Sequence, residues 1–174
     1  MDISFRDVVV GDADALAHIL ITSNEASFRG VVPDRVLKST EAESALNWRR
    51  TLSRGLPVHD VMILALTAGE TVGYVWGGPH QRDALYRGEL KQLMVLPSFW
   101  RRGIGRALVR QVVTHLAEDG IGSLRVEVLK LNPNRSFYKR LGGRLVSEHL
   151  HDWDGFVSPM YVYGWKDTRG LRDG

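Results

Sequence analysis

The sequence predicts an α/β (α+β) domain, and three observations carry that expectation. Residues 61–77 read as a strand–turn–strand hairpin. Residues 89–129 read as strand, glycine-rich turn, helix and strand, and residues 145–165 as a closing pair of strands. A strand–helix–strand unit within one sheet makes a right-handed crossover, which leaves its two strands parallel or nearly so.

The elements follow in order. Ile3–Val10 has enough branched residues for a first strand, and Asp12 then opens a helical pattern in which Ala15, Leu16, Ile19 and Leu20 recur at helical spacing. Residues 24–34, with Phe28, Gly30 and Pro33, read as an irregular connection, and a second helix covers Ala42–Arg54 before Gly55 and Pro57. Val61–Thr67 and Thr71–Gly77 are strand-like runs around Ala68-Gly69-Glu70. Leu90–Leu96 is the next strand, ended by Pro97. Ile104, Leu108, Val112 and Leu116 mark one face of a helix that Gly120 stops. Leu124–Leu129 is a short strand, residues 134–141 a brief helix closed by Gly142-Gly143, and Leu145–Leu150 and Val157–Trp165 two terminal strands. No repeat, low-complexity tract or linker interrupts them, so residues 1–174 are expected to form a single domain.

Composition bounds the function. The apolar fraction of 44% and charged fraction of 25% are ordinary for a soluble globular protein. No run approaches the ~20 apolar residues that span a bilayer. Asp2, Arg6, Asp7 and Asp12 interrupt any signal-peptide core, so the expectation is a cytoplasmic protein without membrane attachment. Cysteine is absent, which excludes disulfides, thiolate nucleophiles and cysteine-ligated metals. A formal charge of +3 does not demand a nucleic-acid partner, although 18 of the 23 basic residues are arginine and several cluster at 101–110.

The most informative stretch is Arg101-Arg102-Gly103-Ile104-Gly105-Arg106, between a strand and a helix. Such a turn presents unpaired N–H groups at a helix N-terminus, where the helix dipole favours an anion by roughly 0.3–1 kcal/mol when exposed. Arg101, Arg102 and Arg106 add guanidinium groups suited to phosphate. The dinucleotide fingerprint Gly-x-Gly-x-x-Gly fails because Leu108 occupies its third glycine, and no Gly-Lys-Ser/Thr marks a P-loop.

Trp100-Arg101-Arg102-Gly103-Ile104-Gly105 follows Leu93-Met94-Val95-Leu96-Pro97, and Asn132-Pro133-Asn134-Arg135-Ser136-Phe137-Tyr138 lies downstream, running on to Gly142-Gly143. In order and spacing these segments resemble the GNAT superfamily of acetyl-CoA-dependent N-acetyltransferases. The family's signature is Gln/Arg-x-x-Gly-x-Gly/Ala after a Leu-x-Val-x-Pro strand end. Trp100 departs from it at the first position, and Asn134 stands where a small residue is common. The likeness extends over nearly the whole chain. It implies a mixed, mostly antiparallel sheet of six or seven strands with a parallel pair at its centre, flanked by about four helices.

The resemblance also implies roles. Acetyl-CoA is the donor, its pyrophosphate on the amides of 101–106 and its pantetheine arm along Leu93, Met94 and Val95, where a backbone amide polarises the thioester carbonyl. Asn132 and Asn134 are cofactor-binding candidates, with helix capping as the competing role. Tyr138 aligns with the tyrosine the family often uses as general acid toward the CoA thiolate. Glu89 aligns with a glutamate that acts as base, often through water. Glu127, in a strand expected to be covered on both faces, is its rival, and many members use no dedicated base. The acceptor is a primary amine of a small molecule or peptide, shaped by residues around Phe28–Pro33, Tyr74 and Trp76. A silent CoA-binding sensor or scaffold is the alternative. Trp153, Phe156, Tyr161 and Tyr163 are candidates for either a homodimer contact or core packing, and His149-x-His151-Asp152 lacks a third ligand for a metal.

Overall fold

In the computed structural model, which describes residues 2–153 and 155–173, seven strands form one mixed sheet in the order β1-β2-β3-β4-β5-β7-β6. The strands are β1 (Ser4–Asp7), β2 (Val61–Thr67), β3 (Glu70–Pro79), β4 (Gly88–Val95), β5 (Leu124–Leu129), β6 (Arg144–Trp153) and β7 (Phe156–Trp165). The helices are α1 (Ala13–Phe28), α2 (Glu41–Ser53), α3 (Ile104–Glu118), α4 (Ser136–Arg140) and α5 (Arg169–Arg172). Every neighbouring pair is antiparallel except β4–β5, the two strands joined by α3. No helix among the described residues is long and apolar enough to cross a membrane.

Local chemistry accounts for most boundaries. The β2–β3 connection puts Ala68 at φ +50° and Gly69 at φ +81°, the two left-handed residues that a hairpin turn matched to sheet twist requires. Thr40 accepts the N–H of Glu43 at 3.2 Å while Glu43 accepts that of Thr40 at 2.8 Å, a reciprocal cap that starts α2. The first strand stops at Asp7 rather than Val10. There Asp12 accepts the Val9 N–H and a two-pronged contact from Arg6, drawing the chain into a turn.

The sheet carries a core on each face. Leu108, Val112 and Leu116 of α3 pack on Val75, Leu90, Val126 and Tyr163, while α1 and α2 bring Leu16, Ile19 and Trp48 onto Leu64 and Tyr74. The second core explains why α1 runs on through the segment expected to be irregular. Ser23 and Ser27 are buried, small enough to let the helix lie against the sheet, so tertiary packing carries the helix to Phe28. α5 has no counterpart in the sequence reading. It is four residues long, and only Leu171 buries an apolar side chain, against the α3 core.

Two irregularities shape the middle of the sheet. Trp76 faces Gln92 while Gly77 faces Leu90, so Lys91 is an extra residue in β4, a bulge. β4 and β5 are in register only at Glu89–Arg125 and Leu90–Val126, and beyond that they diverge. The expectation that Glu127 lies in a strand covered on both faces is corrected here. Leu124, Val126 and Val128 on one face of β5 join the core with α3, but on the other face α1 lies over β3 and β4 and α2 packs Trp48 on Tyr74 and Trp76 of β3, so Glu127 is exposed.

Candidate functional site

The divergence of β4 and β5 opens a cavity of about 950 Å³ bounded by α1, both strands, the 99–106 turn and α4. Leu93, Met94, Val95, Arg101, Gly103, Ile104, Gly105, Arg106, Asn132, Asn134 and Tyr138 all reach its wall. Glu89 and Arg102 are set back from it, whereas Lys91, Gln92 and Glu127, none proposed as a donor-site residue, are on it.

The 101–106 turn is a nest of N–H groups. Arg101 (φ +60°) and Gly103 (φ +85°) are both left-handed, which bends successive amides toward one concavity. The first intrahelical bond runs from Ala107 N to Gly103 O at 3.0 Å, so the amides of Ile104, Gly105 and Arg106 have no intrahelical acceptor. A left-handed arginine costs about 1–2 kcal/mol, strain stored where the turn must open to an anion. Arg102 takes a different course, its guanidinium 5.2 Å from the ring centre of Phe99.

Trp100 has a defined role despite its departure from the signature. Its indole N–H donates to Val95 O at 2.6 Å, and Ser23 Oγ donates to the same carbonyl at 3.0 Å. The turn is thereby tied to the end of β4. Leu96 donates to Val72 O in β3, so ladder alternation turns the backbone of Leu93 and Val95 away from β3 and into the cleft. With no strand beside them there, these amides form an open edge along the cavity.

Across the cleft, Phe137 packs against Gly105 so closely that a Cβ would stand 3.2 Å from its ring, which is the local reason for the second glycine. Tyr138 stacks on Tyr163 with ring centres 6.1 Å apart and meets Phe137 edge-on at 5.2 Å. Burial pushes the Tyr138 phenol up to about 12. Asn132 accepts the Asn134 N–H at 2.8 Å, and the Asn134 side chain donates to Ser27 Oγ at 3.2 Å. Asn132 therefore caps its turn, while Asn134 links that turn to α1.

The face of the sheet beyond α1 and α2 carries a charged cluster that the sequence reading found only in part. Arg125 meets Glu127, His80 and Glu89, and Glu127 also faces His149 Nε2 at 3.5 Å. Deeper on the α2 side, the nearly inaccessible Asp60 carboxylate accepts from Trp76 Nε1 at 2.7 Å and pairs with Lys91 Nζ at 2.5 Å. One signal for Arg125 was available: it alternates with Glu127 in a strand otherwise made of apolar residues. For His80 and Asp60, both in connections, no such signal exists.

The remaining candidates lie as follows. Tyr74 is fully buried and Trp76 lies 6.1 Å from Trp48 in the same core. Phe28 does line the cavity. Trp153 meets His151 and Phe156 in tilted ring contacts at the tip of the β6–β7 hairpin, and Tyr161 packs edge-on against Tyr163. Asp152 accepts the Gly155 N–H, and among the described residues no group of three potential metal ligands converges.

Taken together, the cavity offers a nest of free helix-end amides, an unpaired strand edge and a phenol that burial keeps protonated. Comparisons with known proteins identify the family. The sequence model of the acetyltransferase (GNAT) family matches residues 23–143. An uncharacterized N-acetyltransferase of Bacillus subtilis, YuaI, is 24% identical over 172 residues, covering 98% of this chain and 96% of that protein. The PaiA N-acetyltransferase of Thermoplasma acidophilum, solved in complex with coenzyme A, has the same fold. Its TM-score is 0.69 at 19% identity, over 92% of this chain and 98% of that one. The ribosomal-protein-S18-alanine N-acetyltransferase of Escherichia coli superposes with a TM-score of 0.65 at 16% identity, over 94% and 92% of the two chains.

Proposed function

The chain belongs to the acetyltransferase (GNAT) family, and on that premise we propose that it transfers an acetyl group from acetyl-CoA to a primary amine of a small molecule or peptide by direct attack. The observation that carries this reading is convergence on one cavity of the free amides at 104–106, the open edge at Leu93 and Val95, and Tyr138. The coenzyme A bound to the PaiA relative supports the donor.

Acetyl-CoA supplies an activated thioester, and the rest is work for this chain. The nest at 101–106 holds the pyrophosphate, with Arg101 and Arg106 on the same wall. An amide of the β4 edge donates to the thioester carbonyl as charge develops on its oxygen. Tyr138 donates a hydrogen bond to the departing sulfur. The amine must shed a proton to attack, and Glu89 receives it through water, because its carboxylate stands behind the cavity wall beside Arg125 and His80.

The test is an amine panel spanning peptide N-termini, lysine, polyamines and aminoglycosides, read by released CoA. Turnover with at least one class is expected. Binding of acetyl-CoA without release by any amine would establish the silent sensor or scaffold instead. A third reading, nucleic-acid binding through the arginines near 101–110, predicts affinity that falls steeply with salt.

A further inference from the structure

His80, in the connection after β3, has no signal in the sequence, yet its ring lies between Glu89 and Arg125. Its backbone N–H donates to Arg87 O at 2.6 Å, and its ring is 12% exposed. Arg125 Nη1 lies 3.0 Å from His80 Nε2. A guanidinium only donates, so Nε2 must carry the lone pair and Nδ1 the proton. That Nδ1 faces Glu89 Oε2 at 3.5 Å. The other oxygen, Oε1, lies 3.7 Å from Arg125 Nε, a buried N–H with no hydrogen-bond partner. Each oxygen of Glu89 thus has one such nitrogen within 3.7 Å, at ion-pair distance, and Nη2 of Arg125 is taken by Glu127.

We propose that His80 is a positioning residue: with its tautomer fixed by Arg125, it aims an N–H at Glu89 and sets the plane of the carboxylate that takes the amine's proton. This rests on the reading of Glu89 as base. Arg125 bars His80 from that task itself, because its guanidinium occupies the only basic nitrogen of the ring. The ladder brings the two residues together, since Gly78 and Pro79 pair with Glu89 and Gly88 and deliver His80 to the start of β4.

Two near-isosteric variants separate positioning from mere packing. His80→Asn places an amide N–H where Nδ1–H stands but leaves Arg125 without its acceptor. His80→Gln keeps an oxygen for Arg125 and loses the donor toward Glu89. Steady-state kinetics with acetyl-CoA and the fastest amine of the panel should show kcat within about threefold of wild type for His80→Asn. For His80→Gln, kcat should fall roughly tenfold to a hundredfold at unchanged KM for acetyl-CoA, the scale of a misplaced catalytic group. In a Glu89→Gln background, His80→Gln should cost nothing further. Equal losses in the two variants, or the larger loss in His80→Asn, would overturn the positioning role and leave His80 a partner of Arg125 only. Should Glu89→Gln alone leave kcat unchanged, the base assignment itself falls. A slowed Glu89→Gln beside a silent His80→Gln overturns the positioning role alone.

Discussion

Replacing Tyr138 with phenylalanine removes one oxygen and tests what that oxygen does. The ring stacks on Tyr163 and meets Phe137 edge-on, contacts that phenylalanine retains, so the fold should tolerate the change. Burial pushes the phenol up to about 12, whereas a thiol sits near ~8.5. Complete proton transfer to the CoA thiolate would therefore run uphill by a gap of about 3.5 in pKa, ~5 kcal/mol at 1.36 kcal/mol each. In the proposed reaction Tyr138 would therefore act as a hydrogen-bond donor that stabilises the thiolate and keeps its proton. Hydrogen bonds to charged groups contribute about 1.5–3 kcal/mol, so Tyr138→Phe should lower kcat roughly 10- to 150-fold while the Kd for acetyl-CoA stays nearly constant. Single-turnover kinetics and calorimetric titration measure the two quantities. The wild-type rate should also show no alkaline fall from Tyr138 below pH about 11, since a phenol displaced to about 12 keeps its proton there. The same displacement links to stability. The folded value lies above the unfolded ~10, so the stabilisation is complete below pH ~10 and disappears as pH rises toward about 12. Tyr138→Phe should accordingly unfold at higher pH than wild type in an alkaline titration. Unchanged kcat, or an alkaline limb near pH 10 that vanishes in the variant, would refute this assignment.

Three further outcomes are expected. Gly105→Val forces atoms into the ring of Phe137, 3.2 Å from a Cβ, and crowds the nest, so acetyl-CoA affinity should be lost by calorimetry while circular dichroism still reports a folded chain. Lys91→Met leaves the buried Asp60 carboxylate with only the Trp76 indole, which should lower stability by about 3 kcal/mol in urea unfolding, and Asp60→Asn in the same chain should restore part of it. The Asp12 carboxyl is held below its usual range chiefly by the Arg6 guanidinium. Its stabilisation is therefore present above pH ~4 and lost as pH falls through the lower folded value, so the Tm difference between wild type and Asp12→Ala should shrink toward zero in strong acid.

Legibility in the sequence tracked the range of the interaction. The hairpin at Ala68-Gly69, the cap at Thr40–Glu43 and the strand–nest–helix at 90–118 are set by neighbours in the chain, and each is readable from residue type and spacing. The extension of α1 to Phe28 depends on Ser23 meeting Val95 of β4, 72 residues away, and Ser27 meeting Asn134, 107 residues away, and local propensity does not reveal it. The exposure of Glu127 has the same origin: whether a strand face is covered depends on where α1 and α2 land.

The family and the turn of free helix-end amides at 101–106 could be inferred from the sequence alone because they follow from a contiguous motif, in which glycine conformations and helix-end amides need no distant partner. The tertiary structure decided the rest. It tied Trp100 to Val95, set Glu89 back from the wall, placed Lys91 over a buried Asp60, and brought His80 and Arg125 to the two oxygens of Glu89. The Lys91–Asp60 and Arg125–Glu89 contacts join segments distant in sequence, and the two nearer ones depend on how a turn folds back, so no local side-chain pattern announces them.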